Sequence, residues 1–195
     1  MSSRLDHKII IDLIQPHSTV LDLGCGDGSL LSRLKKEKNC RVTGIEISEK
    51  AIYACMEKGV TAVQGDIDSS LSDYSDNRFD YVILNESVQQ IIHPEKVILE
   101  SLRIGKKAIV GIPNFCHASS RFQLFFNGQV PITRWLPYKW YNTPNLRFLS
   151  IKDFRQFCFE KNIHIEEERG MRPHSEVKIW RNFLAHNGIF LLSKS

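Results

Sequence analysis

A chain of 195 residues with 42% hydrophobic and 25% charged residues and a net charge of +4 has the composition of a globular protein able to bury about 70% of its unfolded surface. No signal-peptide pattern or bilayer-length apolar run is present, and the densest cationic cluster is only Lys35, Lys36 and Lys38, so neither a membrane nor a nucleic-acid partner is expected. Five cysteines, an odd number with no C-x-x-C pair, exclude a disulfide framework and a zinc site and fit a reducing, cytoplasmic setting.

Residues 6–14 carry Ile9, Ile10, Leu13 and Ile14 at helical spacing, stopped by Pro16. A first strand follows at 19–23 with a helix at about 28–37. A second strand spans 41–47, and Ser48 is the expected N-cap of a helix at about 49–58. Shorter apolar runs predict strands at 60–64, 79–84 and 107–112, with a helix from Pro94 to Arg103 before the last of these. A helix at about 151–161, a strand at 163–165 and a final strand at 188–192 complete the pattern. Strands alternating with helices of this length predict an α/β fold: a Rossmann-like three-layer sandwich around a mostly parallel, seven-stranded sheet. No linker or repeat divides the chain, so residues 1–195 are expected to form a single domain.

The first strand breaks into Gly24-Cys25-Gly26-Asp27-Gly28. Glycines let the backbone turn sharply and lie directly against a ligand, and the helix that follows aims its free amides at the same place. A dinucleotide loop would carry its third glycine at position 29, which is serine; a nicotinamide dehydrogenase is disfavoured accordingly. The G-x-G-x-G spacing instead resembles the loop of class I methyltransferases, which bind S-adenosylmethionine (SAM). Glu46, at the end of the second strand, suits both ribose hydroxyls, with Ile47 beside it. The resemblance implies that Asp66 meets the adenine amino group and that Ile67 packs on the ring. Asn85 and Glu86 would face the methionine portion, Asp22 would fix the loop amides or a water near the amino group, and Cys25 is a small residue that permits close approach. The expected cofactor is SAM or S-adenosylhomocysteine.

Further on, Pro113-Asn114-Phe115, then Leu136-Pro137-Tyr138-Lys139-Trp140-Tyr141-Asn142-Thr143-Pro144-Asn145, then Ile151-Lys152-Asp153-Phe154 closely resemble the MetW family of methionine biosynthesis, over nearly the whole chain from Arg4 to Ser193. Departures from that pattern are Asn142 for an aspartate, Cys116 for a glycine, and Asn85-Glu86-Ser87 for S-x-T. The resemblance implies a SAM-binding protein that works with homoserine O-acetyltransferase (MetX). The alternative is a methyltransferase acting on a small-molecule acceptor.

A methyl transfer to oxygen or nitrogen calls for a base within hydrogen-bond reach. His117, Glu86 and Tyr138 are the candidates, followed by His93 and Tyr141, and none stands in a diagnostic pair. His93, before Pro94, reads better as a capping or surface residue. Residues 115–150 form an aromatic-rich insertion stiffened by Pro131, Pro137 and Pro144, with Arg121, Arg134 and Lys139 as a polar rim. It is expected over the mouth of the ligand crevice, as a lid completing the core, an acceptor pocket or a docking surface.

Overall fold

The computed structural model describes residues 4–133 and 136–194. Arg134 and Trp135, named above in the polar rim and the aromatic insertion, lie outside the described residues. Helix α1 (Leu5–Leu13) precedes strand β1 (Thr19–Leu23), and α2 (Ser29–Lys38), β2 (Arg41–Glu46), α3 (Glu49–Glu57) and β3 (Thr61–Gln64) follow in alternation. Then come β4 (Phe79–Asn85), a 3₁₀ turn at Val88–Gln90, α4 (Pro94–Ile104) and β5 (Gly105–Pro113). The last third holds α5 (Ala118–Asn127), α6 (Ile151–Glu160), β6 (Ile163–Met171), β7 (Glu176–Val177), α7 (Arg181–Leu184) and β8 (Asn187–Lys194).

The sheet order is β3-β2-β1-β4-β5-β8-β6-β7. The first five strands run parallel, and β8, β6 and β7 join antiparallel to their neighbours. Eight strands replace the seven expected. The addition is the two-residue β7, which folds back on Gly170 and Met171 through a turn closed by Arg172 N–H donating to Ser175 O at 2.8 Å. Two residues are too few to show alternation in a sequence.

Alternation along the strands supplies both faces of the core. Leu21, Leu23, Val82, Leu84 and Val110 pack under α4 and α6, against Ile98, Leu102 and Phe154. Val20, Ile83, Ile109 and Ile189 face the other way, under Ile9, Ile10 and Ile14 near α1 and Leu30, Leu31 and Leu34 of α2. Strand order reverses between β1 and β4, the place where open α/β sheets leave a crevice at the strands' carboxyl ends.

Ser48 caps α3, its hydroxyl accepting from Ala51 N–H at 3.4 Å. Ser150 and Asp153 form a reciprocal capping box on α6. Within the aromatic insertion lies a helix that the sequence pattern did not predict. His117 caps this α5 by accepting from Ser119 N–H at 3.1 Å, and Gly128, at φ 60°, closes it.

Candidate functional site

The glycine loop leaves β1 with Gly24, Gly26 and Gly28 all at positive φ, +79°, +54° and +70°. Gly24 N–H and Cys25 N–H both donate to Ile45 O, which pins the loop to the neighbouring strand. Gly28 has a second requirement: a Cβ there would lie 2.8 Å from Cys55 Sγ, so only glycine lets α3 pack this close. A Cβ on Gly26 would meet nothing within 4 Å, so bare backbone there faces open space.

A crevice of about 300 Å³ opens beside this loop, at the lower end of small-molecule sites. It is lined by Gly24, by Glu46 and Ile47 after β2, by Gly65 to Asp68 after β3, and by Asn85, Glu86, Ser87, Gln90 and Ile91 after β4. Of the expected site residues, Gly24, Glu46, Ile47, Asp66, Ile67, Asn85 and Glu86 come together here. Asp22, Cys25, Gly26 and Gly28 stand behind or beside the lining and shape the loop. Gly65, Asp68, Ser87, Gln90 and Ile91 were missed, three of them because the 3₁₀ turn and its flanks carry no periodic signal.

Glu46 reaches back across the crevice. Its Oε2 accepts from Gly26 N–H at 2.9 Å, and its Oε1 accepts from Ile47 and Ser48 N–H at 2.9 and 3.0 Å. A carboxylate has room for about four hydrogen bonds, so this side chain fixes the loop and retains capacity for a hydroxyl. Asp66 Oδ1 accepts from Asp68 N–H at 3.0 Å, and Asp68 in turn accepts from Ile92 and His93 N–H, tying the β3 and β4 sides of the crevice together.

Asp22 is only 3% exposed, in the middle of the paired core strands. Burial, reinforced by the negative charge of Glu46, pushes its carboxyl up to about 7. Ser87 Oγ, at the crevice wall, is buried without a hydrogen-bond partner among the described residues. Native proteins rarely leave such groups unsatisfied, so a water or a ligand atom is the partner this hydroxyl calls for.

At the β4 end a polar network had no counterpart in the sequence reading. Arg4 donates to Asp6 and to Glu86 Oε2, Asn85 donates to Asp6 Oδ2 at 2.9 Å, and Asn187 donates to Glu86 Oε1 at 2.9 Å. Gly111 makes it possible, because a Cβ there would collide with Asn85 Oδ1. The available signal was Asp6, which sits on the same helical face as Ile9, Ile10 and Leu13 and is buried with them.

Of the candidate bases only Glu86 lines the crevice. His117 is the cap of α5 and packs against His186 with ring centroids 3.9 Å apart, at a separate small cavity. Burial, aided by the Arg172 charge, holds its imidazole below the ordinary value. Tyr138 lines a shallow hollow with Trp140 and Phe148. His93 is the exposed residue before α4. No described aromatic residue of 115–150 lines the crevice, where a covering lid was expected. The segment docks beside it: Leu146 and Arg147 N–H donate to Gln89 O, and the Arg147 guanidinium donates to Ile91 and Ile92 O. The five cysteines are free. Among the described residues no helix is long and apolar enough to cross a membrane.

Comparison with known proteins agrees with this geometry. A SAM-dependent methyltransferase from Archaeoglobus fulgidus superposes with a TM-score of 0.69 at 16% identity, over 97% of this chain and 92% of that one. The [4+2]-cyclase SpnF superposes equally well, at 0.69 and 17% identity over 97% and 80%, so the same fold also carries chemistry of another kind. The bifunctional methionine biosynthesis protein MetXA/MetW of Rhodopirellula baltica is 32% identical over 173 residues, 84% of this chain but only 28% of that protein's length. Residues 4–192 match the family described as methionine biosynthesis protein MetW, and the chain belongs to that family.

Proposed function

We propose that this chain is a SAM-binding protein of methionine biosynthesis that acts with homoserine O-acetyltransferase and adjusts its output. The observation that carries the SAM reading is the crevice at the strand-order reversal, lined by Gly24, Glu46, Asp66 and Ser87, with the unpartnered Ser87 Oγ at its wall and the bare Gly26 backbone beside it, held by Glu46. These residues fit the cofactor: Glu46 suits ribose hydroxyls, Asp66 an exocyclic amine, Ile47 and Ile67 the faces of a purine, and Asp22 and Glu86 an amino group. The proposal takes the whole chain as one methyltransferase-like, cytoplasmic domain, with 115–150 as its aromatic insertion.

When bound, SAM supplies an activated methyl group, and transfer to oxygen or nitrogen then needs an acceptor held in line and a place for its proton. Glu86 is the one candidate base in the crevice, and its two carboxylate oxygens already accept from Arg4 and Asn187. A base so engaged favours a binding and sensing role over turnover. The acetyltransferase reading is supported by the Rhodopirellula relative, whose printed name joins the two proteins in one chain. SAM, made from methionine, would report sufficiency through a coupling of about 1–3 kcal/mol between the two proteins.

Calorimetric titration with SAM, alone and in the presence of the acetyltransferase encoded by the same genome, tests the proposal alongside an acetylation assay. The expected result is SAM binding that shifts with the partner, together with an altered acetylation rate. Formation of S-adenosylhomocysteine on addition of a small-molecule acceptor would favour the methyltransferase alternative, and absence of SAM binding would remove both.

A further inference from the structure

Helix α5 buries only Ser120. Phe122, Phe125 and Phe126 stand outward, Phe125 at 82% exposed, and Trp140, Tyr141 and Phe148 continue the display, Trp140 at 76%. The two groups are joined through Gln123 and Ile132. Phe126 contacts both Phe122 and Phe125. The Gln123 side chain clamps the backbone of Ile132 through two hydrogen bonds, and Val130, Pro131, Leu136, Tyr138, Trp140 and Phe148 line one shallow hollow. Taking about 200 Å² for each ring when fully exposed, these six aromatics present roughly 800 Å². A standard protein interface covers about 800 Å² on each partner, whereas monomeric proteins rarely leave a contiguous apolar patch of this size in water.

Charge identifies the kind of occupant. From Phe115 to Ser150 there is no Asp or Glu, against Arg121, Arg134, Lys139 and Arg147. A two-fold contact with a second copy would bring this cationic face onto itself, at an electrostatic cost. Each described cation is fixed at a separate place, so together they form no row that would track phosphates. Arg121 donates to Cys116 O and lies over Phe183, Arg147 donates to Ile91 and Ile92 O, and the Lys139 ammonium sits 5.7 Å from the Tyr141 ring. A rigid aromatic centre with a cationic rim matches a protein that offers an apolar patch ringed by carboxylates.

We infer that the aromatic face of α5 and of residues 136–148 is the docking surface for the homoserine O-acetyltransferase, with acidic groups of that enzyme meeting Arg121 and Lys139. This inference rests on the partner reading above and adds its location. It also has a structural route to the crevice, because Leu146 and Arg147 hydrogen-bond to Gln89, whose neighbour Gln90 lines that crevice.

The test measures binding of the acetyltransferase to the wild-type chain, to Phe125→Ser/Trp140→Ser, and to Tyr53→Ser as a control at another exposed aromatic on α3. The double variant is expected to bind about a hundredfold more weakly or worse, with SAM affinity and the thermal midpoint retained, and the control is expected to bind as wild type. Lys139→Glu should weaken binding most at low salt. If wild type binds and the double variant binds equally well, the surface is wrong and the partner reading stands. If wild type does not bind the acetyltransferase at all, the partner reading fails and the inference with it. Self-association, or adsorption to vesicles of anionic phospholipid, that the double variant abolishes would overturn the inference in favour of those occupants.

Discussion

The side-chain amide of Asn187 donates to Glu86 Oε1 at 2.9 Å, joining the first residue of β8 to the turn that follows β4. Glu86 sits at φ 58°, a left-handed conformation that a non-glycine residue adopts only when its surroundings hold it. Asn187 and Arg4 are two of those holds. Asn187→Leu keeps the volume but removes the donor, and it should lower stability by about 1–3 kcal/mol in urea unfolding. A double-mutant cycle with Glu86→Gln should return a coupling of about 0.5–3 kcal/mol. Additive effects would mean that the contact contributes nothing of its own.

On the proposed reading, Asp22 should make SAM binding depend on pH. Its carboxyl, pushed up to about 7 by burial and by the Glu46 charge, is largely protonated at pH 6 and ionised at pH 8. A ligand amino cation is attracted only to the ionised form. Affinity should therefore rise about tenfold between pH 6 and pH 8 through this group. Asp22→Asn should remove that rise while leaving whatever slope the ligand's own amine produces. A calorimetric pH series on both proteins checks it; parallel profiles would take Asp22 out of ligand binding.

The sequence revealed those parts of the fold and site that depend on short-range pattern. β1 and β5 are apolar runs ended by Gly24 and Pro113, β4 is an apolar run ended by the polar Asn85-Glu86-Ser87, and the G-x-G-x-G loop carries its own geometry. Glu46 and Asp66 were legible because each ends a strand. β6 was read as three residues because Glu166, Glu167, Glu168 and Arg169 look like a solvated loop. In the fold, Lys107 pairs with Glu166, Arg155 with Glu168, and Arg169 with Glu167 and Glu176, so ion pairs line a strand whose pattern is also broken by a bulge between Ile165 and Glu167. Helix α5 was hidden for another reason. Its apolar residues face outward and bury nothing in this chain, so no amphipathic stripe points to a core. The Arg4–Asp6–Asn85–Glu86–Asn187 network is assembled from three distant segments and has no linear signature.

The glycines of the loop should separate by mechanism. Gly28→Ala puts a Cβ against Cys55 Sγ at a φ that L-residues resist, so it should cost stability of about 1–3 kcal/mol as well as ligand affinity. Gly26→Val meets no protein atom in the added direction and should abolish SAM binding with a smaller loss of stability. Glu46→Ala should weaken SAM by about 1–3 kcal/mol, since both the loop clamp and the hydroxyl acceptor go together. Calorimetry paired with thermal unfolding reads the two quantities apart, and unchanged affinity in Glu46→Ala would remove the ribose assignment.

His186 and Asp22 pull the acid limb of stability in opposite directions. Burial, then the adjacent His117, then Arg172 push the His186 imidazole down to about 4, against an ordinary value of 6.5. Between those two values the unfolded chain takes up a proton at this residue and the folded chain does not. Its contribution is therefore complete above pH 6.5 and is lost as pH falls toward 4, at no more than about 1.4 kcal/mol per pH unit. Asp22 opposes this across the whole of that window, because its carboxyl, raised to about 7, lets the folded state bind a proton first; only the difference between wild type and a His186 variant therefore reads the imidazole. Asp27 and Asp80, both held down to about 2, act only below it. His186→Asn removes the imidazole and leaves the other groups in place, so the difference between the two proteins isolates this residue. Urea midpoints from pH 7.5 to 4.5 should converge as pH falls, with wild type losing stability faster than the variant. Parallel curves would show that His186 takes up its proton equally in the folded and unfolded chains.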